Sequence, residues 1–148
     1  MRLDEKFYRR KIAQVQETLQ HRALDGLLLL NHHQLYYLAG FFHYPTERPV
    51  ALFVPQRGEP TLFVPKLEES YVHEGAWAPD VQVYFEFPGT VHPLDWMAQQ
   101  LHARGLGSSR IGFESSVSVN TRERLGKALP SATWVDASDV VSGMRLVK

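Results

Sequence analysis

Three of the chain's seven histidines, His32, His33 and His43, fall within twelve positions. They stand in NHHQLYYLAGFFHYPTERP, residues 31–49, among Tyr36, Tyr37, Phe41, Phe42 and Tyr44. The stretch ends on Glu47, Arg48 and Pro49. Imidazoles bind metals and move protons near neutral pH, so the first candidate is a metal or acid–base centre. A zinc site needs three or four converging ligands. Adjacent residues point to opposite faces of a strand, or about 100° apart on a helix, so His32 and His33 are poorly placed to share one ion. HExxH, HxH and HxxxH are all absent. The spacing favours histidines that line a loop and make hydrogen bonds.

Other chemistries are equally incomplete. There is no cysteine, so neither thiolate catalysis nor a disulfide framework is available. Phe113-Glu114-Ser115-Ser116 follows a strand-like run but is not GxSxG, which leaves the nucleophile elbow unsupported. Ser115, Ser116 or Ser118 is better suited to capping the next helix, and Glu114 to accepting backbone N–H groups from it. GxxxxGK[ST] and GxGxxG are missing. Glu68-Glu69, Glu47, Asp80 and Glu86 are scattered, and a nuclease would need several acids on facing strands to hold divalent metal. Arg48 is the exception worth isolating. It lies in an aromatic-rich segment before a strand, beside Pro49, and a planar guanidinium there suits a ligand carboxylate or carbonyl. The alternatives are a surface arginine or one paired with an acid such as Glu47.

These residues must be held by something, and the hydrophobic pattern says what. Tyr8, Ile12, Val15 and Leu19 recur at helical spacing, which predicts an amphipathic helix over 4–21. Residues 26–30, GLLLL, form the run of a strand buried on both faces. LFVP occurs at 52–55 and again at 62–65 around a linker with Gly58 at its tip, the pattern of a β-hairpin with proline closing each strand. Further helices are expected over 67–76, around Leu94–Leu101 behind Pro93, around Leu125 and Leu129, and around Val140, Val141 and Met144, the last capped by Asp136 or Ser138. Strands fall at 81–85, 110–113 and 133–135. Gly105 and Gly107 end the helix before them. Strands alternating with helices give an α/β fold, a mixed, mostly six-stranded sheet with helices on both faces. No low-complexity linker divides residues 1–148, which predicts one domain, and 148 residues suffice for one real core.

Sixteen basic residues balance sixteen acidic ones. Neutral charge argues against nucleic acid or an anionic membrane as partner. The charged N-terminus lacks the apolar core of a signal peptide, and the longest apolar run is too short to span a bilayer. The expected location is the cytoplasm.

Taken in order, RRKIAQVQETLQHRALDG, GLLLLN, LYYLAGF, RPVALFVPQRGEPTLFVP, RIGFE and the closing WVDASDVVSGMRLVK resemble the N-terminal domain of the creatinase/prolidase family, the "pita-bread" metallopeptidases of class M24 that include Xaa-Pro aminopeptidases and dipeptidases. The resemblance covers essentially the whole chain and implies a ribonuclease H-like topology. It implies a divalent metal pair (Mn, Co or Zn) held by two aspartates, a histidine and two glutamates in a C-terminal catalytic domain that this chain lacks. No catalytic or metal residue and no cofactor is then expected here. The implied role is to pack on that catalytic domain, to build homo-oligomer contacts and to cover the substrate channel. Tyr37, Phe41, His43 and Arg48 are the candidate channel-facing residues. The alternative is a stand-alone ligand-binding or oligomerisation module without hydrolase activity.

Overall fold

The computed structural model describes residues 5–41, 48–85 and 91–146, apart from the side chains of residues 71, 74, 75 and 146. Helix α1 (Glu5–His21) leads to strand β1 (Gly26–Leu29) and helix α2 (His32–Ala39). Strands β2 (Ala51–Pro55) and β3 (Thr61–Pro65) form the hairpin. A 3-10 turn (Lys66–Glu68) precedes α3 (Glu69–Gly75) and β4 (Asp80–Tyr84). Then come α4 (Pro93–Ala103), β5 (Arg110–Phe113), α5 (Val119–Ala128), β6 (Thr133–Asp136) and α6 (Asp139–Leu146).

The six strands make one sheet in the order β4-β3-β2-β1-β5-β6. Only β2 runs against its neighbours; β1–β5, β5–β6 and β3–β4 are parallel. Alternation along the strands feeds two cores. Leu27, Leu29, Leu52, Val54, Leu62 and Val64 meet α1, α2, α3 and α6. Leu28, Ala51, Phe53, Phe63 and Ile111 meet α4 and α5 on the other face. Helix α1 contributes Tyr8, Ile12, Val15 and Leu19 to the first core, each burial worth roughly 1.5–3 kcal/mol for the aliphatic members. The mixed sheet with helices on both faces is therefore as the sequence pattern predicts. Among the described residues no helix is long and apolar enough to cross a membrane.

Local signals explain most boundaries. The Ser118 hydroxyl accepts from Thr121 N–H at 3.1 Å and caps α5. Gly105, at φ 82, lets Leu106 N–H reach Leu101 O and Gly105 N–H reach His102 O, the paired bonds of a Schellman end to α4.

Two expectations are corrected. The residues after β1 are not a loop: Asn31 Oδ1 accepts His33 N–H at 2.8 Å, Leu35, Leu38 and Ala39 face the core, and Gly40 at φ 67 stops the turn of α2. The aromatic and histidine residues between these signals obscured an eight-residue helix. Second, Glu114 does not serve the helix that follows it. Its Oε2 accepts the N–H groups of Leu30 at 3.0 Å and Asn31 at 2.9 Å, because β5 lies beside β1 and the chain after β1 is nearer than α5.

Candidate binding cleft

With β1, β3, β4, β5 and β6 all pointing one way, their carboxyl ends share one edge of the sheet. From β1 the chain moves outward through β2, β3 and β4; it then returns to β5 on the other side of β1 and moves outward to β6. The gap between the ends of β1 and β5 is thus a switch point, the position where open α/β sheets leave a crevice. A cleft of about 840 Å3 lies at this edge, a size ordinary for small-molecule sites.

Four chain segments wall it. Leu30, Asn31 and His32 come from the start of α2; Arg48, Pro49 and Val50 from the approach to β2; His92, Leu94 and Asp95 from the start of α4; Asn120, Thr121, Arg124 and Lys127 from α5. Each wall is fixed by a side chain bonded to backbone. Glu114 holds the first, Tyr84 Oη donates to Pro49 O at 2.8 Å in the second, His92 Nδ1 accepts Leu94 N–H at 3.1 Å in the third, and Ser118 caps the fourth.

The electrostatics follow from these bonds. Since His92 Nδ1 is an acceptor, the proton of the neutral ring sits on Nε2. Burial, helped by the Arg124 charge, holds His92 below the ordinary histidine range against the pull of Asp95. Arg124 grips Asp95 through two bonds of 3.2 Å. Glu114 is 3% exposed. Burial raises its pKa, and the Leu30 and Asn31 N–H groups only partly offset this. Its Oε1 finds no hydrogen-bond partner among the described residues.

The four singled-out residues are not all together. Arg48 is exposed and lines the cleft. Phe41 is 2% exposed and belongs to the core on the α1 side. Tyr37 is half-buried against that core; its ring lies 3.6 Å from Lys11 Nζ, which also donates to Tyr37 O at 3.0 Å. His43 lies outside the described residues. His32 lines the cleft, with its ring 4.0 Å from that of His33. His92, Asn120 and Lys127 escaped the sequence reading. Only the strand order brings them to Arg48, and the one local signal was His92 standing before Pro93 at a helix start.

Among the described residues no three His, Asp or Glu side chains gather as a metal site. The donors here do not fit the metal pair that the resemblance implies.

The comparisons agree with this fold. The Bacillus subtilis protein named "Putative dipeptidase YkvY" is 24% identical over 93% of this chain, which spans 38% of that relative's length. The dipeptidase PepE structure from Mycobacterium ulcerans superposes with a TM-score of 0.82 at 27% identity, covering 100% of this chain and 39% of that one. The creatinase/prolidase N-terminal domain of an X-Pro dipeptidase from Streptococcus pyogenes gives 0.78 at 25% identity, covering 91% of this chain and 98% of that one. The family model for the creatinase/prolidase N-terminal domain matches residues 11–147. A sheet of this order, its helices on both faces and a match of this extent make the chain a member of the creatinase/prolidase N-terminal domain family.

Proposed function

We propose that this chain is the non-catalytic N-terminal domain of a metal-dependent Xaa-Pro peptidase, a proline-specific aminopeptidase or dipeptidase. The observation that carries the reading is the family match over 11–147, joined to a relative named as a dipeptidase of which the chain spans 38%. In this reading a C-terminal domain holds the Mn, Co or Zn pair. This domain packs on it, adds to homo-oligomer contacts in the cytoplasm and covers the substrate channel. Arg48 and His43 face the substrate, and Tyr37 and Phe41 support that rim from the core side.

The test is hydrolysis of an Xaa-Pro dipeptide by the pure 148-residue chain with added Mn2+. The expected result is none. Metal-dependent turnover by the chain alone would overturn the reading. The cleft favours a second reading, a small-ligand or oligomerisation module without hydrolase activity. The reading frame separates the two. Continuation into a segment with two Asp, one His and two Glu ligands supports the peptidase, and a stop codon after Lys148 supports the module.

A further inference from the structure

We infer that a cavity at the amino edge of the sheet, between the β2–β3 turn and the end of α4, binds a small zwitterion with an aliphatic body, the chemistry of a free α-amino acid. It lies at the edge opposite the cleft, so the inference does not rest on the peptidase reading.

The cavity measures about 410 Å3, within the range of small-molecule sites. Asp25 enters it from the start of β1, Gln56, Arg57 and Glu59 from the turn, and Arg104 from the end of α4. Each lining residue is flanked in sequence by described residues, so no undescribed segment adjoins the lining along the chain.

The walls are fixed before any ligand arrives, which reduces the ordering lost on binding. Exposed turns are commonly mobile, yet this one is clamped from α1. Gln16 Nε2 donates to Pro55 O at 3.0 Å and to Gly58 O at 2.8 Å, carbonyls on either side of Arg57. Gln56 N–H donates to Asp25 O at 2.8 Å, and its Nε2 to Leu24 O at 2.9 Å. Arg104 is held by the buried Thr61 hydroxyl at 2.7 Å and by Asp80 at 2.9 Å.

The charges decide the ligand. Glu59 is engaged by Arg9 and Arg104 by Asp80. With those partners counted, three positive charges stand against three negative ones. Two charges in the lining, Asp25 and Arg57, have no counter-ion among the described residues. Asp25 Oδ2 accepts the backbone N–H of Arg110 at 2.8 Å, while the Arg110 Nε donates to Ala23 O at 3.1 Å. Arg57 is exposed and does not pair with Asp25, although both face one cavity. A simple cation would leave Arg57 unmatched, and a simple anion would leave Asp25 unmatched. A zwitterion answers both with charge-assisted bonds. Phe53, Pro55 and Leu106 supply apolar lining for its body.

The experiment titrates the 15N-labelled chain with leucine, N-acetyl-leucine and leucinamide at about pH 6, where leucinamide carries its charge, and follows amide chemical shifts. Leucine is expected to give saturable shifts at Gln56, Arg57 and Leu106. Each singly charged analogue loses one of the two bonds and is expected to bind about tenfold more weakly. Arg57→Ala is expected to weaken leucine about tenfold and to abolish its advantage over leucinamide. Asp25→Asn, which keeps an acceptor for Arg110 N–H, is expected to abolish the advantage over N-acetyl-leucine. Lys127→Ala, in the cleft at the other edge, is expected to change nothing. Arg57 makes no hydrogen bond or ion pair among the described residues, so Arg57→Ala keeps the test valid if Asp25→Asn misfolds. Equal affinity for leucine and either analogue, an advantage over leucinamide that survives Arg57→Ala, or no saturable shift would each overturn the inference. Hydrolysis is not the readout, so the peptidase reading stands or falls separately.

Discussion

The Glu114 carboxylate, at the end of β5, accepts the N–H of Asn31 at 2.9 Å and so fixes the residue that caps α2. One buried side chain thus joins the ends of two parallel strands and sets where α2 begins. Glu114→Ala removes the acceptor for two backbone N–H groups, and the expected cost is about 1–3 kcal/mol. Glu114→Gln keeps a carbonyl oxygen for both and discards the buried charge, so it is expected within about 1 kcal/mol of the parent. Because burial raises the folded-state pKa above the ordinary 4.5, the folded state holds the extra proton between those values. Stability of the parent relative to Glu114→Gln therefore falls as pH rises from 4.5 through the raised value, then levels off. Urea midpoints of both proteins from pH 4 to 8 check this. A gap that widens toward acid in the parent's disfavour would contradict it.

His92 makes the opposite prediction. Its pKa is lowered from 6.5, with burial the largest cause. The folded state releases the proton first, so the contribution of the neutral cap is complete above 6.5 and is lost as pH falls through the lowered value. Protonation also removes the lone pair that receives Leu94 N–H. His92→Asn, a non-titrating cap, is expected to abolish this part of the acid slope, and His92→Ala to cost about 0.5–2 kcal/mol at pH 7.5. Thermal unfolding across pH 5–8 distinguishes them.

Lys11 lies between rings, its Nζ 3.9 Å from the centroid of Phe7 and 3.6 Å from that of Tyr37, and burial lowers its pKa. It also donates to Tyr37 O. Lys11→Met preserves the stem but loses the bond and the charge over the rings, an expected cost of about 1–2 kcal/mol. A double-mutant cycle with Tyr37→Leu isolates the ring term, expected at about 0.5–1 kcal/mol. A coupling near zero would assign Tyr37 to packing alone.

What the sequence revealed was what short-range periodicity encodes. Tyr8, Ile12, Val15 and Leu19 announce α1, and the doubled LFVP announces the β2–β3 hairpin, because each pattern is complete within one element. Helix α2 went unread. Its buried face is only Gln34, Leu35, Leu38 and Ala39, while His32, His33, Tyr36 and Tyr37 suggest chemistry. Glu114 was assigned to α5 because sequence proximity stood in for spatial proximity. The pairing of β1 with β5 spans more than eighty residues, and no local signal contains it. For the same reason the cleft was invisible: Arg48 was singled out, but His92 and Lys127 reach it only through the order of the strands.

Gly26 is buried at the start of β1, paired with Pro55 on one side and Ile111 on the other. A Cβ there would meet Phe53 Cζ at 2.3 Å and Cε1 at 2.6 Å. In open space, alanine would stabilise a strand glycine by reducing the freedom of the unfolded chain. Here the ring it meets is fully buried against the α4 core, so overpacking decides the sign. Gly26→Ala is expected to cost about 1–3 kcal/mol, lowering Tm by roughly 2–4 °C per kcal/mol in a domain of this size. Phe53→Leu alone leaves a void and also destabilises. Combined, the smaller side chain vacates the space that the new methyl needs, so the double variant is expected to be more stable than the sum of the single losses predicts. Additive losses would mean that the steric conflict is relieved by movement of the strand rather than of the ring.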